Sequence, residues 1–356
     1  MTSRATGLPS QPMVGWGTLV RLAVALGLTA LILWKSHPSL VLEQARTARP
    51  LPLLAAILLV VVDRTLMAWR WLWLLVPFQP DASGAPTPAS PGAPAARPRV
   101  AAAHVGLGAI LHIFFVSTFV GTFLPASVGA DAVRATSLAR LGVPLADAVA
   151  SVFMDRVLGV LAVLGMAVVG LWLASDLPAR AAVLTSLAIT AGGCAAVAAA
   201  VFSTRIAALL VATLERLPWR RVHTAGRSLI EAVQRYRTHH GLLALVTGAS
   251  LGVQVLRVLQ AWCLGLSLGL AAPLPAYFAF IPIILLLMLL PITVNGLGTS
   301  QAGFWLFFGA AGVPPAGAFA LSVLFVALGI VGNLPGVVLW ARSGLTPAAS
   351  GSEPAR

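Results

Sequence analysis

Residues 123–159 read FLPASVGADAVRATSLARLGVPLADAVASVFMDRVLG, and the fold turns on how this stretch is read. A strongly apolar run, Leu107 to Leu124, reaches Pro125, and small residues then carry the chain past Gly129, Asp131 and Arg134. A second apolar run follows, holding Asp155 and Arg156 inside its first turns. Adjacent charges at that depth are expensive in hydrocarbon, so they are expected to face a partner or a wet cavity and to mark function. A related block returns around Pro291 and Gly312.

Composition sets the class. With 59% hydrophobic and 9% charged residues, the chain is no ordinary soluble domain. Several windows exceed the roughly 18 apolar residues that cross a bilayer as helix. A lipid-exposed backbone must satisfy its own hydrogen bonds, and no barrel-like alternation is present. The expectation is an all-α polytopic integral membrane protein with about seven to nine membrane helices, some of them re-entrant or broken.

The formal charge of +13 sits mostly between apolar segments, which suits topology and anionic headgroups and gives no reason to expect nucleic acid. Cys194 and Cys263 lie in separate apolar runs and read as packing residues. His104 and His112 share a helix face without clustered acids, so neither a metal nor a cofactor is expected. After a tail at 1–16, the run Gly17 to Trp34 carries Arg21 and is followed by KSHP, which marks a membrane anchor and not a cleaved signal.

A single membrane domain over 17–342 is then expected. Its second helix, about 51–78, holds Asp63, Arg64 and Arg70 and ends among Trp69, Trp71 and Trp73. Asp63 and Arg70 are seven apart and share a face, so they could pair with neighbouring helices. The plainer alternative has Arg70 snorkelling beside its tryptophans. Residues 79–100 are a flexible Pro/Ala-rich linker. Helices are expected at about 101–124, 148–173 and 181–202.

The segment 203–240 carries seven arginines, Arg205, Arg216, Arg220, Arg221, Arg227, Arg235 and Arg237. Leu229, Val233 and Tyr236 recur at helical spacing, so part of it should lie as an amphipathic helix on an anionic leaflet, or else form a solvated loop. Taking it as cytoplasmic places the 35–50 and 125–147 loops inside by alternation, with the 79–100 linker and the N-terminus outside. The chain would thus be multi-pass in the cell (inner) membrane. Apolar runs follow at 241–271, 276–290, 301–312 and 316–341. The 301–312 run is too short to span and suggests a re-entrant or half helix, as does the end of the 101–124 run at Pro125. Residues 343–356 form a disordered tail.

The two halves near 104–160 and 276–330 read as an internal, inverted repeat. Gly142, Val143, Pro144, Ala146, Ala148, Ala150, Leu158 and Gly159 match Gly312, Val313, Pro314, Ala316, Ala318, Ala320, Leu328 and Gly329 without a gap. Interrupted helices at corresponding places in two halves point to a transport site. Their N-terminal ends favour an anion such as a lipid phosphate. Gly129, Gly296 and Gly298 allow close backbone approach, while Asn295 and Gln301 offer hydrogen bonds. Arg134 and Arg156 are the candidate phosphate ligands, held by Asp131 and Asp155 when the site is empty. The plainer alternatives are a helix-locking role for Asp155 and Arg156 and a positive-inside charge at Arg134.

These blocks, FLPASVGADAVRATSLAR with ADAVASVFMDRVLGV and LLPITVNGLGTSQAGF with GVPPAGAFALSVL, resemble the lysylphosphatidylglycerol synthase transmembrane-region family. That family is the flippase-like membrane half of multiple-peptide-resistance proteins. The resemblance implies translocation of an aminoacylated, other anionic or polyprenyl-linked lipid between leaflets. Pro125, Gly129, Asp131 and Arg134 match its first block, and Asp155 and Arg156 its Asp-Arg pair. Where the family typically has an acid after GLG, this chain has Gln301. Nothing after Gly344 could form a soluble aminoacyl-transferase, so a stand-alone member that does not make its lipid is expected. The competing readings are a membrane-embedded glycosyl- or headgroup-transferase built on Asp131 and Asp155, and an accessory subunit partnered with lipid-biosynthesis enzymes.

Overall fold

A computed structural model describes residues 50–78, 106–123, 128–173, 203–214, 220–289 and 298–344, together with Gly296 and scattered residues between 39 and 49 and between 188 and 199. The anchor at 17–34, the linker at 79–100, Pro125, Asn295, Cys194 and the tail from 345 lie outside the described residues. Among the described residues there are eleven α-helices and no strand. Four stretches are long and apolar enough to cross a membrane: Pro50–Phe78, Leu145–Gly170, His240–Ser267 and Pro315–Ala341. The chain is an all-α, multi-pass membrane protein.

Helix α1 (Pro50–Trp73) begins on prolines, whose missing N–H costs nothing in a first turn, and ends in a short 3-10 turn at Val76–Phe78. Its main partner is α7 (His240–Ser267), which runs antiparallel to it. The Arg49 N–H donates to the carbonyl of Ser267 at 2.7 Å, and at the other end the Tyr236 hydroxyl donates to the carbonyl of Leu74 at 2.6 Å. These two bonds fix which ends share a face.

Between α1 and α7 the chain forms α2 (Leu107–Phe123), α3 (Val128–Arg140), α4 (Leu145–Leu173), α5 (Thr204–Leu214) and α6 (Arg220–Gln234). After α7 come α8 (Leu274–Leu289), α9 (Thr299–Ala310), α10 (Pro315–Val331) and α11 (Pro335–Gly344). A cluster of Trp71, Leu75, Ile110, Phe114, Leu138, Val143 and Ala148 gathers the end of α1, the start of α2, the end of α3 and the start of α4. So α2 and α3 form a hairpin that enters and leaves by the same face. At its tip a Cβ on Gly121 would stand 2.5 Å from that of Ala130, so only glycine admits this approach. At the opposite face α8 and α9 do the same, with Phe307 and Phe308 of α9 against Phe280 and Tyr277 at the start of α8.

The repeat is thereby visible in three dimensions. Exchanging α1 for α7, α2 for α8, α3 for α9 and α4 for α10 with α11 maps the helix neighbours onto themselves: α4 packs on α8 as α2 packs on α11, and α4 lies on α7 as α10 lies on α1. Gly142 and Gly312 both take the left-handed conformation, φ 92° and 83°. Each closes its helix with an N–H to the residue three back and hands over to a proline-led helix, through Ala148 to Pro144 and Ala318 to Pro314. Since α1 and α7 are antiparallel, the two halves are inverted with respect to one another.

Three expectations are corrected. Residues 128–140 are a helix and not a loop: past Pro125 the Ala-rich run with Asp131 in its first turn folds back into helix, and polarity had disguised it. The hairpin then shifts the count of crossings by one. Phe78, Asp147 and His240 lie on one face and Arg49 and Ser267 on the other, so Arg49 stands opposite the basic segment with which the 35–50 loop was expected to share a side. Finally, the apolar side of α6 faces protein and not a leaflet: Ala232, Val233 and Tyr236 pack with Leu74, Ala150, Met154, Leu158 and Leu243. Arg235 pairs with the buried Asp147 at 3.1 Å, and Tyr236 lies edge-on to Phe78.

Tyr236 is the clamp of this dock. Burial, then Asp147, push its phenol well above the usual value, so it stays a donor. Tyr236→Phe leaves the Leu74 carbonyl unsatisfied and is expected to cost about 1–3 kcal/mol. A lowered midpoint in thermal unfolding of the purified protein checks this; an unchanged midpoint contradicts it.

Candidate functional site

The charged side chains that composition made conspicuous are gathered around α1. Asp155 of α4, buried, binds two arginines at once: Arg70 of α1 through one oxygen at 2.5 Å and Arg134 of α3 through the other at 3.4 Å. Arg70 also donates to the Ser250 hydroxyl of α7 at 2.7 Å and to the Asp155 carbonyl. Arg134 donates to the Ser117 hydroxyl of α2 at 3.2 Å and lies over the Phe114 ring, 4.3 Å from its centroid. Trp71 borders the node, its indole donating to Ser151. Two guanidiniums on one carboxylate leave a net charge of +1 buried among five helices. An uncompensated charge there calls for an anion.

A second node has the same composition. Asp63 of α1, 1% exposed, takes Arg64 at 2.8 Å and Arg257 of α7 at 3.6 Å. Arg64 reaches on to α10, donating to the Gly329 carbonyl at 3.3 Å and to the side-chain oxygen of Asn333 at 3.2 Å. The repeat explains how both arginines of α1 fit. Gly159 and Gly329, matched in the two halves, present bare backbone to Arg70 and Arg64, whose nitrogens lie 3.7 and 3.9 Å from where a Cβ would stand.

The third pair is at the surface. Arg156 grips Asp131 with two parallel bonds of 2.9 and 3.0 Å, partly open to the surroundings. Thus Asp131, Arg134, Asp155 and Arg156 are brought together by α3 and α4, each acid holding the other helix's arginine, and Gly129 lies in the same α3 first turn.

The second block is organised differently. Gly296 and Gly298 have positive φ, 73° and 86°, and form the turn into α9. The Gln301 side-chain oxygen accepts from the Gly298 N–H at 2.5 Å and from the Ser300 hydroxyl at 3.0 Å, so it caps its own helix. By the repeat offset Gln301 stands where Asp131 stands in the first half. Among the described residues α9 lies on α8 and α10, and α3 on α2 and α4, with no extensive face shared between α3 and α9. Gly296, Gly298 and Gln301 are therefore not brought into the ionic nodes; the second half reaches them through α7 and α10. Pro125 and Asn295 lie outside the described residues.

Arg257, Ser117 and Ser250 escaped sequence reasoning, and Arg70 was read two ways, as a pairing or a snorkelling residue. Arg70 looked like an interfacial arginine because Trp69, Trp71 and Trp73 flank it. Arg257 is a lone charge in a long apolar run, and its depth was the available signal. Ser117 and Ser250 carry no signal at all. Among the described residues no group of His, Cys, Asp and Glu could hold a metal ion.

The described residues thus form an inverted-repeat helical membrane domain with two helical hairpins and arginine-rich ionic nodes. Residues 18–336 match the model of the lysylphosphatidylglycerol synthase TM region, and the chain belongs to that family. No curated protein and no solved structure matches it.

Proposed function

We propose that the chain binds an anionic, aminoacylated or polyprenyl-linked lipid by its headgroup at the Arg70–Arg134–Asp155 node and moves it between the leaflets of the cell membrane. The observation that carries this reading is the surplus positive charge of that node. The surrounding fold supports it, since two inverted halves can expose one central site to either side in turn. In the empty protein Asp155 and Asp131 hold Arg134 and Arg156 in position, and an arriving phosphate competes for the guanidiniums. The half-open Asp131–Arg156 pair, on the same two helices, would meet the headgroup first.

Proteoliposomes loaded with a fluorescent anionic phospholipid test the reading. Wild-type protein is expected to equilibrate the lipid across the bilayer without any donor substrate. Arg134→Gln is expected to slow that movement about 10- to 100-fold, the loss of one charge-assisted contact. Equal rates for protein-free vesicles, wild type and variant would overturn it. The transferase reading draws on Asp131 and Asp155, yet both carboxylates are engaged by arginines. Product formed from a nucleotide-sugar in the absence of lipid movement would favour it.

A further inference from the structure

We infer that the Asp63–Arg64–Arg257 node is a second anion station, built for the phosphodiester of a lipid whose headgroup also donates hydrogen bonds, and joined to the first station along α7; the inference rests on the proposed lipid-handling role.

The two nodes are built alike. Each has one buried aspartate shared by two arginines, one of them from α1, and each retains a net charge of +1. Each lies against one of the two repeat-matched glycines, Gly159 beside Arg70 and Gly329 beside Arg64, with α1 contributing to both nodes. Both nodes keep buried atoms without a hydrogen-bond partner, Arg70 Nε and Asp155 Oδ1 in the first and Asp63 Oδ1 in the second. Arg257 meets Asp63 only at 3.6 Å, beyond hydrogen-bond distance, and otherwise only the Met67 sulfur. Its remaining N–H groups have no oxygen partner among the described residues, and a fifth of the side chain is exposed. Guanidinium edges in this state suit phosphate, which they bind in a fork.

Acceptors are left over as well. Asp63 Oδ1 and the Gln254 side-chain oxygen are buried and lack a hydrogen-bond donor. An anion alone would not satisfy them; hydroxyl or ammonium groups beside the phosphate would. Ser250, Gln254 and Arg257 recur at helical spacing on α7. Ser250 contacts Arg70 of the first node and Arg257 contacts Asp63 of the second, with the orphaned Gln254 between them. Polar groups thus line the α1–α7 contact from one station to the other.

Native mass spectrometry of the full-length protein in detergent, titrated with phosphatidylglycerol, tests this. Two lipids are expected on the wild type and one on Arg257→Gln or on Arg134→Gln, with none on the double variant. A wild type that holds a single lipid, lost in Arg134→Gln and kept in Arg257→Gln, overturns the second station and leaves the first standing. A wild type that holds no lipid overturns the first reading together with this one. Should Arg257→Gln fail to fold, Arg257→Lys keeps the charge without the fork; it is expected to weaken the second lipid about tenfold, and unchanged affinity counts against the station. Phosphatidylmethanol, a phosphodiester with no donor in its headgroup, is expected to occupy this station more weakly than phosphatidylglycerol, and equal occupancy contradicts the role given to Asp63 and Gln254. Competition by inorganic phosphate separates the sources of the anion: retention of the lipid supports this station, and its displacement at millimolar phosphate overturns the lipid in favour of a free ion.

Discussion

Asp155→Asn is expected to lower stability by about 3–5 kcal/mol, the usual result of removing one partner of a buried ion pair. The substitution keeps the shape and removes the charge that holds Arg70 and Arg134 together. Both buried guanidiniums then repel with no carboxylate between them. Loss of folded protein, or a large fall in the thermal midpoint in detergent, is the expected result. Adding Arg70→Met to Asp155→Asn removes one of the stranded charges and is expected to recover part of the loss. The recovery is the signature of coupling between the two positions. A variant that melts with the wild type would show that Asp155 is not the keystone of the node.

The second large effect lies where helices touch through backbone. A Cβ on Gly170 would stand 2.7 Å from the Ala279 carbonyl oxygen, 2.8 Å from the Ala279 Cα and 2.9 Å from the Phe278 carbonyl oxygen. None of these atoms can turn aside, so Gly170→Ala must part α4 from α8. A cost of about 1–3 kcal/mol is expected from overpacking alone. Gly165, one and a half turns earlier on the same helix, has a single leucine methyl at 4.0 Å as its nearest neighbour. Gly165→Ala should be neutral or slightly stabilising, because alanine is the better helix former. Thermal melting of the two variants side by side decides the matter; equal midpoints would refute the close approach. Small residues at such contacts are how helices in lipid gain dispersion energy, since the bilayer supplies no hydrophobic drive between them.

Much of this architecture was legible in the sequence for physical reasons. Gly142-Val143-Pro144 and Gly312-Val313-Pro314 encode the same turn, because a left-handed residue followed by a proline-led helix leaves few alternatives. Asp155 and Arg156 announced themselves by depth. The way they pair was not legible: adjacent residues on a helix point about 100° apart, so Asp155 turned inward to Arg70 and Arg134 while Arg156 turned to the rim. The sidedness was misread because helix counting assumes that every apolar run crosses. The end of the 101–124 run was read as re-entrant, but the count still treated it as a crossing; the cluster of Ile110 and Phe114 with Leu138 and the Gly121–Ala130 approach show that the chain doubles back. Gln301 kept its place in the repeat while changing its task from ion pairing to capping, a distinction invisible without coordinates.

The first node also carries a consequence for biogenesis. Its members leave the ribosome in the order Arg70, Arg134, Asp155, so two cations enter the translocon before the anion that neutralises them. The α2–α3 hairpin, lacking a stable home for Arg134, has to linger at the aqueous rim until α4 is synthesised. Final seating of the hairpin is therefore expected only once α4 is made, some twenty residues after the second arginine.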